Sequence, residues 1–131
     1  MVTVHDAFTG FSVDDIDAAR QFYGTSLGLA VADEPAAGGL RLTLPSGQPV
    51  FIYPKPDHVP ATFTILNLVV ADIETAVDEL NAAGVTTKIY TDGWAFGTNE
   101  RGISYGSEEN PGPNIAWFKD PAGNVLSVLE M

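Results

Sequence analysis

Apolar residues recur along the chain with two different periods, which predict strands and helices. In residues 40–44, three leucines alternate with an arginine and a threonine, the two-residue period of a half-buried strand. The spacing i, i+3, i+4, i+7 of an amphipathic helix appears in residues 73–80, at Ile73, Ala76, Val77 and Leu80. A similar apolar face in residues 16–23 predicts an earlier helix. The chain therefore mixes helices with strands.

Aspartates and a glycine mark the ends of the predicted helices. We expect Asp14 to cap the first helix, with Asp15 close to the positive end of its dipole, and Asp72 to cap the second. Gly84 follows the second helix and is its expected C-terminal stop.

The pattern repeats. Phe8–Ala19 aligns with Ile65–Ala76 at a shift of 57 residues, and the Pro-x-Gly turn in residues 44–53 aligns with that in residues 120–129 at a shift of 76. Each half predicts a strand, a helix and then strands that end in a hairpin. We therefore predict a single domain over residues 1–131, with module 1 at about 1–56, a proline-rich linker at about 54–61 and module 2 at about 62–131.

The second half is longer than the first because its shift grows by 19 residues, within roughly Lys88 to Asn114. This segment contains Trp94, Tyr105 and five glycines. An insertion rich in aromatic residues and glycine is typical of a lid or binding loop. The alternative is an extended strand pair in which Trp94 and Tyr105 belong to an ordinary core. The sequence leaves both open.

Charge and composition exclude several classes of partner. The formal net charge is −11, with only six lysines and arginines, which argues against nucleic acid and anionic membranes. It favours a cationic ligand, although surface carboxylates also simply maintain solubility. No cysteine is present, so disulfides and thiolate chemistry are excluded. We expect a cytoplasmic protein because the N-terminus lacks the regions of a signal peptide.

Two motifs give the chain a family resemblance. Residues 13–23, followed by Leu27-Gly28-Leu29, resemble the opening of vicinal-oxygen-chelate domains, the superfamily of glyoxalases, bleomycin-resistance proteins and extradiol dioxygenases. Residues 117–124 resemble its closing hairpin. The resemblance implies an α+β fold of two tandem βαβββ modules that form a cupped, barrel-like mixed sheet around a cavity, commonly in a homodimer. Some members bind a divalent metal and catalyse lyase, epimerase, thiol-transfer or ring-cleaving reactions, whereas others bind a drug without metal.

The resemblance also places the four metal-ligand positions of the family, which here are Phe8, Phe51, Ile65 and Ser127. Divalent metals need imidazole, carboxylate or thiolate donors, and these four residues offer one neutral hydroxyl. Strand parity directs His5 to the opposite face, and His58 falls in the linker, so we expect both to be surface or loop histidines. We predict no metal and no cofactor.

The same positions define a candidate cavity that is mostly apolar and aromatic. Strand alternation and the insertion predict one set of ligand-binding residues: Phe8, Ser12, Phe51, Tyr53, Ile65, Asn67, Trp94, Tyr105 and Ser127. Arg41 and Arg101 are candidates for a ligand carboxylate. No Ser/His/Asp or paired-carboxylate arrangement is visible, so the catalytic residues are unknown. The alternative is that the large side chains fill the cup.

Three functions follow. The first is a metal-free, bleomycin-resistance-like homodimer that binds a small aromatic or cationic organic molecule. The second is a metal-dependent lyase, epimerase or dioxygenase of the same superfamily. The third is a dimeric interaction module without a ligand.

Overall fold

The computed structural model describes residues 1–91 and 97–131, which form two compact units at residues 1–59 and 60–131. No helix among these residues is long and apolar enough to cross a membrane. The assignment of both units to a single domain stays a prediction.

The first unit is one βαβββ module. Its elements are β1 (Thr9–Val13), α1 (Ile16–Arg20), a π-helical turn (Gln21–Ser26), β2 (Ala30–Glu34), β3 (Gly39–Thr43) and β4 (Pro49–Pro54). The sheet has the order β1-β4-β3-β2; β1 and β4 are parallel, and the other pairs are antiparallel. β2 runs to Glu34, two residues beyond the strand end that the sequence predicted, since residues 33–39 were expected to be a loop.

The first helix begins one residue later than predicted. Its N-cap is Asp15, whose Oδ1 accepts hydrogen bonds from the backbone N–H groups of Asp17 (3.0 Å) and Ala18 (3.1 Å). The prediction of Asp14 was wrong because the backbone is still extended at Asp15, with φ −138° and ψ 108°, the conformation of a capping residue. The predicted cap of the second helix is confirmed, since Asp72 accepts from the N–H of Glu74 at 3.1 Å.

The second unit repeats the module with a longer connection after its helix. Its elements are β5 (Thr64–Val69), α2 (Ile73–Ala82), β6 (Ile103–Ser104), β7 (Ile115–Lys119) and β8 (Val125–Leu129). The strand order is β5-β8-β7-β6, equivalent to that of the first sheet. Gly84 follows α2 at a φ of 84°, a left-handed conformation that glycine adopts without strain, so the predicted helix stop is confirmed.

The shifts found in the sequence are also the shifts of the ladder registers. Gly10 pairs with Phe51 in the first sheet, and Asn67 pairs with Ser127 in the second. Phe51 lies opposite Arg41 on the other side of its strand, while Ser127 lies opposite Trp117. The predicted α+β fold of two tandem βαβββ modules is confirmed. The described strands form two open four-stranded sheets, not one closed barrel.

One face of each sheet packs against the helix of its own unit. In the first unit, Tyr23 is fully buried and its ring contacts that of Phe11, with 5.6 Å between the centroids. Ile52 pairs with Phe11, so both belong to the helix-covered face. In the second unit, α2 contributes the buried residues Ile73, Ala76, Val77 and Leu80. The opposite face of each sheet carries the family's ligand positions on β4 and β8.

Candidate ligand-binding site

The uncovered face of the first sheet is aromatic. Phe51 and Tyr53 alternate along β4 with the buried Val50 and Ile52, so their side chains point away from α1. The two rings stack with 5.6 Å between their centroids and 22° between their planes. Ser12 pairs with Tyr53 and therefore belongs to the same face.

The ring of Phe51 lies directly over Gly39. A Cβ atom built on Gly39 would lie 2.8 Å from Cε1 of Phe51 and 2.3 Å from the carbonyl oxygen of Ile52. On the other side, a Cβ atom on Gly10 would lie 2.8 Å from the carbonyl oxygen of Phe51. Real Cβ contacts essentially never come this close, so both glycines are needed for the position of this aromatic side chain.

A cavity of about 550 Å³ lies over this face, within the size range of small-molecule sites. Its walls include Phe8, Glu34, Arg41, Thr43, Pro49 and Phe51. The side chain of Phe8 is 70% exposed even though it contributes to the wall. The large side chains therefore leave an open cavity at this end of the sheet.

One ion pair stands in the otherwise largely apolar wall. Nη2 of Arg41 contacts Oε1 of Glu34, and the Arg41 side chain is 57% exposed while that of Glu34 is 27% exposed. Glu34 reaches the arginine because β2 continues to this residue and pairs with β3. The prediction of a loop at residues 33–39 gave no reason to connect the two side chains.

A serine–histidine contact lies on the same unit. The distance between Oγ of Ser12 and Nδ1 of His58 is 2.7 Å, and His58 is half-buried. The sequence gave no signal of this pair because the two residues are 46 positions apart. An imidazole at this distance can accept the hydroxyl proton, but nucleophilic catalysis also requires stabilisation of the developing oxyanion. The contact therefore joins the linker to β1 and adds a polar group beside Tyr53.

The equivalent face of the second sheet is more polar. Ser127 is fully buried, and its Oγ donates a hydrogen bond to Oδ1 of Asn67 at 2.6 Å. Trp117 pairs with Ser127 on the other side, and its Nε1 donates to Oγ1 of Thr64 at 3.2 Å. The ring of Tyr90 meets Trp117 edge to face at 5.4 Å, and burial raises the pKa of Tyr90 above its ordinary value.

The remaining candidate residues lie apart from these groups. Ile65 is half-buried at an irregularity of the β5–β8 ladder, between Thr64 and Leu66. Tyr105 lies on the helix side, where its hydroxyl donates to Oε1 of Glu74 on α2 at 3.0 Å. This hydrogen bond raises the pKa of Tyr105. Trp94 lies outside the described residues.

The residues at the family's metal positions do not fit a divalent metal. Phe8, Phe51 and Ile65 offer no donor atom, and the hydroxyl of Ser127 is engaged with Asn67. Across residues 1–91 and 97–131, no group of three or more histidine, aspartate and glutamate side chains is arranged to hold a metal ion. We therefore derive no chemistry through a metal.

Comparisons with solved structures show the same fold in proteins of low sequence identity. A member of the glyoxalase/bleomycin resistance protein/dioxygenase superfamily from Sphaerobacter thermophilus is 20% identical, with a TM-score of 0.65 and 96% of this chain and 98% of that chain covered. A glyoxalase family protein from Enterococcus faecalis is 21% identical, with a TM-score of 0.62 and the same coverage of both chains. An antibiotic-binding protein from Streptomyces sp. CB03234 is 22% identical, with a TM-score of 0.64 and 98% of each chain covered.

The family itself is shown by sequence. A search of the curated proteins finds no match. Residues 6–128, however, match the Glyoxalase/Bleomycin resistance protein/Dioxygenase superfamily, which covers nearly the whole chain and both hairpins. The chain belongs to the Glyoxalase/Bleomycin resistance protein/Dioxygenase superfamily.

Proposed function

We propose that this protein binds a small organic molecule with an aromatic part, without a metal, in the cavity of the first sheet. The observation that carries this proposal is the open cavity of about 550 Å³ whose wall includes Phe8 and Phe51, two positions that hold metal ligands in other members of the family. Phenyl rings bind planar ligands by stacking or edge contacts and bind cations through their faces. The antibiotic-binding relative from Streptomyces supports a binding role on this fold.

The polar residues of this face are proposed as anchors. Ser12 and Tyr53 lie beside Phe51 on the same face, and a few convergent polar groups in an apolar cavity are the usual composition of an organic-ligand site. Ile65, Asn67 and Ser127 form a separate group in the second unit, which we retain as a proposed second set of contacts. Tyr105 is left out because its hydroxyl is engaged with Glu74 on the helix side.

The other two functions receive less support. A metal-dependent lyase, epimerase or dioxygenase would need donor side chains that the four family positions lack. An interaction module without a ligand would not need the glycines that keep the Phe51 ring in place beside a cavity.

We also infer that the protein is a homodimer located in the cytoplasm. Several large apolar side chains are exposed, among them Val4, Phe8 and Val69, and a second copy would remove such surface from water. Sedimentation velocity at micromolar concentration is expected to give about twice the 13.9 kDa mass of the chain. Sedimentation at 13.9 kDa would contradict the dimer and leave the cavity proposal standing.

The binding proposal is tested with naphthalene and anthracene, each carrying a carboxylate, a primary amide or an aminomethyl group. We expect at least one compound to bind by isothermal titration calorimetry and the Phe8→Ala variant to bind it more weakly. The matched control is Phe63→Ala, because Phe63 is 69% exposed, close to the 70% of Phe8, but does not contribute to the cavity wall. Equal losses in both variants, or no binding by any compound, would contradict the proposal.

A further inference from the structure

We propose that the ligand of this cavity carries a carboxylate beside its aromatic part and that Arg41 binds this group. The inference rests on the proposed binding function and specifies the chemical class of the ligand. It departs from the cationic ligand that the net charge of −11 favours.

The position of Arg41 suits a ligand that also contacts Phe51. The two residues are paired across β3 and β4, so their side chains emerge from the same face as neighbours, and both contribute to the cavity wall. A planar molecule lying against the Phe51 ring would place a substituent at its edge within reach of the guanidinium. Arginine suits a carboxylate because its planar fork can donate two parallel hydrogen bonds.

The three arginines of the chain differ in how many carboxylates they hold. Arg20 pairs with Asp17 at 2.5 Å and Asp33 at 3.1 Å. Arg101 pairs with Asp78 at 2.6 Å and Glu74 at 3.5 Å. Among the described residues, Arg41 pairs only with Glu34 and makes this contact through Nη2. The cavity arginine therefore has room for a second carboxylate, which the other two arginines already have.

Exposure favours an anionic group over a cationic one. A ligand cation would have to bind Glu34, whose side chain is 27% exposed and already paired with Arg41. A ligand carboxylate would meet the more open side of the pair, since the Arg41 side chain is 57% exposed. The net charge opposes anions only weakly at this range, because exposed charges more than about 8 Å apart are largely screened at physiological ionic strength.

Calorimetry with the same panel tests the inference, because each ring system is available as carboxylate, neutral amide and cationic amine. We expect the carboxylate to bind about tenfold more tightly than the amide, a preference that weakens as sodium chloride is raised. Arg41→Met should abolish the preference. Arg20→Met is the matched control, with the same substitution at an arginine outside the cavity wall, and should leave the preference intact.

A second variant keeps the test decisive if Arg41→Met does not fold. Glu34→Gln retains Arg41 and removes its competing carboxylate, so it should tighten carboxylate binding severalfold and leave the amide nearly unchanged. Tightest binding by the amine, weakened in Glu34→Gln, would overturn the inference in favour of a cation site. Equal binding of carboxylate and amide would also overturn it, while the binding function would stand. Failure of every compound to bind would overturn both.

Discussion

Phe51 and Ser127 occupy equivalent positions in the two modules, and each is matched by neighbours of complementary size. Phe51 lies opposite Gly10 and over Gly39, which leaves space for its ring. Ser127 lies between Asn67 and the large Trp117. The first module therefore combines a large residue on β4 with glycines on the neighbouring strands, and the second combines a small residue on β8 with larger neighbours. Close packing requires this kind of compensation.

The glycine beneath Phe51 gives the first prediction. Gly39→Ala should destabilise the protein by about 1–3 kcal/mol because the new methyl group meets both the Phe51 ring and a backbone oxygen. Urea denaturation measures the change. Gly24→Ala is the control, since a Cβ atom there would meet only Val31, at an ordinary 3.8 Å. Equal stability of the two variants would show that the ring is not confined as described.

The second prediction concerns the start of the first helix. Asp15→Ala should lower the free energy of unfolding by about 1 kcal/mol because it removes the side chain that caps two N–H groups. Asp14→Ala, one residue earlier, removes the same charge without a cap and should change stability little. Chemical denaturation of both variants provides the comparison. A larger loss for Asp14→Ala would place the cap where the sequence first suggested.

The third prediction follows from the hydrogen bond between Tyr105 and Glu74. The pKa of Tyr105 is raised above the ordinary value of about 10, so its absorbance should titrate at higher pH than that of a free tyrosine. Because the folded-state pKa is the higher one, the stabilisation is complete below pH 10 and is lost as pH rises through the folded-state pKa.

Spectrophotometric titration near 295 nm measures this shift, with Tyr105→Phe identifying the signal among the four tyrosines. Glu74→Gln should return the Tyr105 midpoint towards 10 because it removes the acceptor charge. An unchanged midpoint in Glu74→Gln would show that the carboxylate does not hold the proton on Tyr105.

The fourth prediction is that the purified protein retains no stoichiometric divalent metal. After exposure to manganese, iron, nickel, cobalt and zinc and removal of the excess, elemental analysis should find well below one ion per chain. The reason is that the four family positions offer only the hydroxyl of Ser127, which already donates to Asn67. One tightly held ion per chain would show that other residues ligate it and would restore the metal-dependent enzymes as candidates.

The repeat made most of the fold predictable. The shifts of 57 and 76 residues place Phe51 and Ser127 at equivalent positions, and the ladder registers of both sheets agree with them. The π-helical turn at Gln21–Ser26 was not predicted, because its extra residue per turn leaves the apolar spacing almost unchanged over so short a segment. The choice between Asp14 and Asp15 depended on the backbone angles of one residue, which the sequence does not specify.

The candidate site was harder to predict than the fold. Strand alternation correctly grouped Phe51, Tyr53 and Ser12 on one face, but their role in binding stays a prediction. The pairs that add charge and polarity, Arg41 with Glu34 and Ser12 with His58, were missed. Both depend on where a strand or linker ends in space, and residues in loops have no periodic pattern that would reveal their partners.

The unequal lengths of the two modules bear on how such a chain can evolve. Residues 35–38 connect β2 with β3, whereas residues 105–114 connect the equivalent strands β6 and β7. Closing the longer loop costs less than about 1 kcal/mol more, because closure entropy rises only with the logarithm of length. Added residues at this position were therefore nearly neutral for folding, and selection could act on their chemistry alone.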